Sequence, residues 1–244
     1  MRWDVKSAPT LWGPEIGVSI DFMEPGNKPA TAKKHCPKRL RISKQPFAIG
    51  GMRLAYYAVT NAGHRYVVKR LLREAIQPEN NVAAFLEDTN AHREAAGLAV
   101  AFGDRCKLHK IGARMEYGPL YIVQIPCMDE VSSSGQMTVL LLEQYLEGKF
   151  TKWNTNTGNA YSHFTYCKTH KAADGPKLVV DIQGVKDAEK TLYHLTDPAV
   201  HFAGGGCCGF GDTNCGTRGI KSFFDSHQCN SVCRSLGLRG KPSS

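Results

Sequence analysis

Lys177-Leu178-Val179-Val180-Asp181-Ile182-Gln183-Gly184-Val185 reads as an apolar strand that ends in an acid, an amide and a glycine. That arrangement is expected where a strand runs into an active-site edge; the plainer reading of Asp181 is a turn or cap residue. Asp197-Pro198 follows after a loop. Two acids and an amide brought together can hold Mg2+, whose hard coordination shell prefers oxygen. Further on, Gly204-Gly205-Gly206, Gly209, Gly211, Gly216 and Gly219 form a glycine-rich stretch. Such a stretch lets backbone amides approach a phosphate, and it is equally what a flexible turn looks like.

Beyond the glycines comes His227-x-Cys229-x-x-x-Cys233, and far upstream stands His163 in Ser162-His163-Phe164-Thr165. These four residues could close a tetrahedral zinc site, because zinc takes thiolate and imidazole ligands and this spacing can converge at a turn entering a helix. Two cysteines and a histidine near a helix are also ordinary buried filler. Cys167 and His170 are alternative ligands. The chain has nine cysteines. An odd number without a signal peptide favours reduced thiols and metal ligation over a disulfide framework.

The 244 residues, 42% hydrophobic and 22% charged, can bury a large core. No apolar run is long enough for a transmembrane helix. Met1-Arg2-Trp3-Asp4 has no apolar region behind its positive charge, so a cytoplasmic location is expected. The formal charge of +9 suits nucleic acid, a phosphorylated ligand or an acidic partner without choosing among them. The densest basic run, Lys33 to Lys44, is broken by Pro37 and carries no aromatic platform. It reads as a solvated arm or edge strand, and the proline argues against an amphipathic calmodulin-binding helix.

Residues 1 to about 35 show little periodicity and read as a poorly packed leader. From Pro46 the pattern alternates, and Gly50 to Val59 with Arg65 to Arg70 predicts a hairpin around Asn61-Ala62-Gly63. Val82 to Phe102 predicts a helix, interrupted by Asp88-Thr89-Asn90 and stopped at Gly103. Strands are expected at Leu120 to Ile125 and Val139 to Tyr145, then a polar connector from Gly148 to Tyr161.

One family carries these pieces in the same order. Phe47 to Gly51 with Arg53, Tyr66-Val67-Val68-Lys69, Glu143-Gln144-Tyr145-Leu146-Glu147-Gly148, Lys152-Trp153-Asn154, Ser162-His163-Phe164-Thr165, Val180 to Val185, Thr196-Asp197-Pro198, Phe210-Gly211-Asp212, Asn214-x-Gly216 and His227-x-Cys229-Asn230-x-x-Cys233 together resemble the alpha-kinase family, in its elongation factor 2 kinase branch. The resemblance covers about residues 44 to 238. It implies an α+β, two-lobed atypical protein kinase fold with ATP between the lobes and a structural zinc in the C-terminal lobe. The implied divisions are a leader with a basic arm, poorly ordered or partly packed (1–43), an N-terminal lobe (44–142), a C-terminal lobe (143–238) and a tail (239–244).

By the same resemblance Lys69 contacts the ATP phosphates, with Glu94 as its carboxylate partner, and Gly50, Gly51 and Arg53 form the phosphate-covering strand pair. Glu143 and Leu146 lie on the adenine-binding hinge. Asp181 is the catalytic acid/base, Gln183 and Asp197 are Mg2+ ligands, and Asn214 is a nucleotide-side residue of the glycine-rich loop. The zinc ligands would be His163, His227, Cys229 and Cys233. The chain departs from the family pattern at Thr213, where its relatives have a second glycine, and in longer segments around Asp181.

The expected activity is therefore that of a Mg2+-dependent serine/threonine protein kinase, with an elongation factor 2-like or cytoskeletal protein as acceptor. A catalytically inactive kinase-fold scaffold is the alternative, and a basic zinc-containing nucleic-acid-binding module is less favoured. Lys69, Asp181, Gln183 and Asp197 occurring together favour the kinase. Neither a membrane nor calmodulin is implied as a partner.

Overall fold

The computed structural model describes residues 3, 5–6, 8–19, 36–72, 78–126 (78–80 by backbone alone), 137–157, 177–187, 189, 191–204 and 209–237. Its elements run β1 (Trp12–Gly17), β2 (Arg39–Ser43), β3 (Ala48–Ile49), β4 (Arg53–Val59), β5 (Arg65–Leu71), α1 (Pro78–Leu108), β6 (Arg114–Tyr117), β7 (Leu120–Pro126), β8 (Met137–Gln144), β9 (Phe150–Lys152), β10 (Lys177–Val180), β11 (Gln183–Asp187), β12 (Leu192–Thr196), β13 (Ala199–Phe202), α2 (Gly216–Ser226) and α3 (Ser231–Ser235). The chain divides into two compact units, Met1–Leu86 with Pro119–Tyr145 and Glu87–Gly118 with Leu146–Ser244.

The first unit is a sheet in the order β1-β2-β4-β5-β8-β7, with β3 added on β4. The expected β4–β5 hairpin is present, and its turn uses Gly63 at φ 83, a conformation that glycine adopts without strain. Just past β1, Ser19 exchanges two backbone hydrogen bonds with Gln124 of β7, at 3.0 and 2.8 Å. The first and last strands thus meet, and the sheet curls back on itself. Leu40, Ile42, Ala58, Val68, Val123, Ile125, Leu140 and Leu142 pack on one face. Ile122, Val139 and Leu141 point the other way and meet Val82 and Phe85 of α1, as strand alternation requires. Each valine, leucine or isoleucine side chain among these, fully buried, contributes about 1.5–3 kcal/mol.

The described part of the leader is packed on the sheet. Trp12–Gly17 is a strand, Trp12 is buried, and Trp3 sits edge-on to Tyr57 and Tyr145 with ring centroids 4.7 Å apart in each case. Within the basic run, Leu40 and Ile42 alternate inward while Arg39 is exposed, so β2 is an interior strand between β1 and β4 rather than a solvated arm or edge. Residues 33–35 of that run lie outside the described residues.

The expected break in the helix is also corrected: α1 runs without interruption through Asp88-Thr89-Asn90 and past Gly103 to Leu108. Ala91, Ala95, Leu98, Phe102 and Cys106 are buried at helical spacing along one face, and Thr89 is buried on the opposite side with Phe85, so burial overrides weak local propensity. The helix stops where Ile111 N–H donates to Cys106 O and Lys110 N–H to Lys107 O, with Lys110 at φ 55. This is a Schellman closure with lysine in the position usually held by glycine.

In the second unit, β6-β12-β11-β9 form one sheet, in which β6 and β12 are parallel, and β10 pairs with β13. Leu178 and Val180 join Phe102, Ile220, Phe223 and Leu236 on one side, while Val179 joins Ala95, Leu98, Trp153 and Leu195 on the other. The single strand expected over Lys177 to Val185 is thus two strands, β10 and β11, broken at Asp181-Ile182. No described helix is long and apolar enough to cross a membrane.

Candidate active site

The break between β10 and β11 places the acids. Asp181 has φ 60, left-handed backbone that asparagine and aspartate tolerate better than most residues, and Asp197, after β12, has φ 54. Gln183, the first residue of β11, pairs with Thr196, so it lies beside Asp197. Its Nε2 donates to the Asp181 carboxylate at 3.3 Å and to the Asp197 carbonyl oxygen at 3.1 Å. With the amide nitrogen committed to both aspartates, the Gln183 carbonyl oxygen is the end left for a hard cation.

Two residues given no role by sequence reasoning complete this corner. Lys152 pairs with Gln183 across β9 and β11, and its Nζ lies 2.5 Å from Asp181 Oδ1. Asn154 Oδ1 accepts from the Ile182 N–H at 2.6 Å, and Trp153 N–H donates to Ile182 O at 2.8 Å, fixing the residue after Asp181 from both sides. Burial raises the Asp181 pKa above its ordinary value; the hydrogen bond and charge of Lys152 oppose this, and Asp197 adds to it. The motif Lys152-Trp153-Asn154 was the available signal, but the spacing to Asp181 crosses residues 158–176, outside the described set.

Lys69 and Glu143 form a buried ion pair in the first unit, Nζ to Oε1 2.8 Å. Glu94, the partner expected for Lys69, belongs to the second unit, where it pairs with Lys177 at 3.0 Å, and Lys177 also lies over the rings of Phe202 and Phe210. The register explains the Lys69–Glu143 pair, because Glu143 is the diagonal neighbour of Lys69 on the same sheet face. Gly50 and Gly51 make the β3–β4 turn, where Gly50 N–H donates to Arg53 O at 2.8 Å. A Cβ on Gly51 would meet nothing within 4 Å, so the surface of that turn is open. Leu146 is the first residue of the second unit after the β8 strand.

Asn214 Oδ1 accepts from Phe202 N–H at 3.0 Å and Gly216 N–H at 2.9 Å, bracing the glycine-rich loop against β13. That commits its oxygen to the protein and leaves its Nδ2 donor. Gly205 and Gly206 lie outside the described residues.

The ligand atoms of His227, Cys229 and Cys233 all lie within 4.8 Å of one another, with Cys233 Sγ 3.7 Å from His227 Nε2. Asn230 caps α3 by accepting from the Cys233 N–H at 3.0 Å, which aims that cysteine back toward the histidine. Two thiols and an imidazole are a donor set that suits zinc and lacks one ligand. His163, expected to be the fourth, lies outside the described residues, as do Cys167 and His170.

The sequence profile of the alpha-kinase family matches residues 48–233. The alpha-protein kinase vwkA of Dictyostelium discoideum is 30% identical over 210 residues, covering 82% of this chain and 31% of its own length. The eukaryotic elongation factor 2 kinase of Homo sapiens is 33% identical over 220 residues, covering 82% of this chain and 27% of its own. The chain thus spans less than a third of the length of these relatives. Among solved structures, the alpha-kinase domain of myosin-II heavy chain kinase A in complex with AMP-PNP superposes with a TM-score of 0.63 at 26% identity, covering 83% of this chain and 90% of that one. An alpha kinase from Entamoeba histolytica superposes at 0.68 and 24% identity, covering 94% and 93%, and supports the fold. The ordered motifs, the fold and this matched span agree: the chain belongs to the alpha-kinase family.

Proposed function

We propose that this domain transfers the γ-phosphoryl group of ATP to a threonine or serine hydroxyl of a protein, with Mg2+ as cofactor. The observation that carries the reading is the β10–β11 break, where one glutamine amide ties Asp181 to Asp197 and Lys152 closes on Asp181. Asp181 orients the acceptor hydroxyl and takes its proton as the oxygen bonds to the γ-phosphorus and the bond to the ADP oxygen breaks. Lys152 favours the anionic, proton-accepting form of Asp181, against the effect of burial. Lys69, oriented by Glu143, supplies a fixed positive charge to the phosphates. Gln183 and Asp197 would hold Mg2+, which neutralises charge on the transferring group; the protein's share is mainly positioning.

Nucleotide-bound relatives, including the complex with AMP-PNP, support ATP as donor. Relatives named as elongation factor 2 kinase and myosin heavy chain kinase support an elongation factor 2-like or cytoskeletal acceptor. His227, Cys229 and Cys233, with His163 as fourth ligand, would hold a structural zinc that pins α3 to the upstream segment. The test is Mg2+-dependent transfer of the γ-phosphate to a threonine-containing peptide. Transfer lost in both Asp181→Asn and Lys69→Met supports the kinase; no transfer by folded wild type to any acceptor leaves the scaffold.

A further inference from the structure

His201 is the third residue of β13 and is completely buried. Its Nε2 lies 2.7 Å from the Asn156 carbonyl oxygen, an acceptor only, so Nε2 carries the hydrogen. Its Nδ1 accepts from the Cys215 N–H at 3.1 Å. Only the neutral Nε2–H tautomer satisfies both partners, and burial, which holds this imidazole below its ordinary pKa, favours the neutral form.

The two partners belong to different parts of the site. Asn156 lies on the connector whose Trp153 and Asn154 grip Ile182, next to Asp181. One residue further on, Thr157 O accepts from Ser222 Oγ of α2 at 2.7 Å. Cys215 lies between Asn214 and Gly216 in the glycine-rich loop. The fit is close: a Cβ on Gly219 of α2 would stand 2.5 Å from His201 Cδ2. An aliphatic side chain could fill this volume but would leave the half-buried Asn156 carbonyl and Cys215 amide without this partner.

We propose that His201 is a positioning residue of the phosphotransfer reaction, a two-ended brace that holds the connector behind Asp181 in register with the loop carrying Asn214. The inference rests on the kinase reading above. The brace acts through its neighbours: at one end it fixes the support of Asp181, and at the other it fixes the loop.

The two ends separate experimentally. His201→Asn keeps an amide oxygen near the Nδ1 position and loses the reach to Asn156; His201→Gln reaches the Nε2 position and loses the bond from Cys215. In peptide-kinase assays of the full chain with Mg2+ and ATP, His201→Asn is expected to lower kcat about tenfold with KM little changed. His201→Gln is expected to raise KM for ATP or peptide about tenfold with kcat little changed, tenfold corresponding to one lost hydrogen bond. A role in stability alone predicts instead that both variants lose activity in proportion to a fall in Tm, and that result, or wild-type kinetics in both, overturns the proposal. Nitrogen-15 NMR of the wild-type imidazole gives a measurement independent of variant folding: the Nε2–H tautomer at neutral pH is required, and an Nδ1–H tautomer or an imidazolium overturns the brace. Wild type without any transfer fails the kinase reading and the proposal with it; active wild type with unsplit variants fails the proposal alone.

Discussion

Lys69 and Glu143 do not stand directly opposite each other: Lys69 pairs with Leu141 and Glu143 with Val67, and the two charges meet along the diagonal of one sheet face, 2.8 Å apart. Burying such a pair yields little net stability, whereas removing one member leaves a buried charge uncompensated. Glu143→Leu is expected to destabilise the protein by about 3 kcal/mol, and Lys69→Met with Glu143→Leu by clearly less than the sum of the two single changes. Urea denaturation of the four proteins measures the coupling, and every variant lacking Lys69 should lose transfer.

Asp181 is destabilised as a carboxylate by burial, and its raised pKa fixes the sign of its pH dependence. The folded protein takes up this proton at a higher pH than the unfolded chain does. The group therefore costs stability at neutral pH, and the cost is relieved as pH falls from the raised folded value towards the ordinary one. Asp181→Asn removes the charge, keeps a side chain that tolerates φ 60, and should raise Tm by a few degrees, about 1 kcal/mol, while abolishing transfer. A Tm lower than wild type at pH 7 would contradict this account. In the wild type, kcat should fall on the acid side as Asp181 gains its proton.

Gly184 sits between β9 and β12 at φ 149, where an added Cβ would fall 2.0 Å from the backbone oxygen of His194. Gly184→Ala is expected to cost about 3 kcal/mol or more, because a backbone atom and not a flexible side chain must move. Since Gln183 is the next residue, Mg2+-dependent transfer should fall even in preparations that remain folded. Thermal melts and kinase assays on the same sample check both parts.

Elemental analysis of the purified chain should find about one zinc per molecule. Cys233→Ser and His227→Ala should each lose it. Chelation should lower Tm by about 10 °C, given about 2–4 °C per kcal/mol in a chain of this size. Loss of zinc in His163→Ala as well would identify the fourth ligand; retention there points to Cys167 or His170.

Periodicity gave the elements whose two faces differ in polarity. The β4–β5 hairpin was readable because Gly63 and the alternating residues around it are local signals. The same rule failed at β2, where arginines mask the inward pair Leu40 and Ile42, and at Asp88-Thr89-Asn90, where a buried stripe carries the helix through weak formers. Asp181 and Gln183 could be paired from sequence because they are two residues apart and cross one strand break. The contacts that complete the site could not. Lys152 reaches Asp181 through the β9–β11 pairing, and Glu143 reaches Lys69 through the diagonal register of β5 and β8. A register between distant strands leaves no trace in either strand alone.

The family match begins at residue 48, but Ser19, which bridges to Gln124, lies upstream of it. A fragment cut to the matched span would lose β1 and β2, leaving one end of β4 with a bare row of amides and carbonyls and Gln124 of β7 without its bridge. Such edges recruit strands from other molecules. The homology boundary and the solubility boundary of this domain are therefore different, and recombinant fragments that keep residues 12–43 should remain dispersed where shorter ones aggregate.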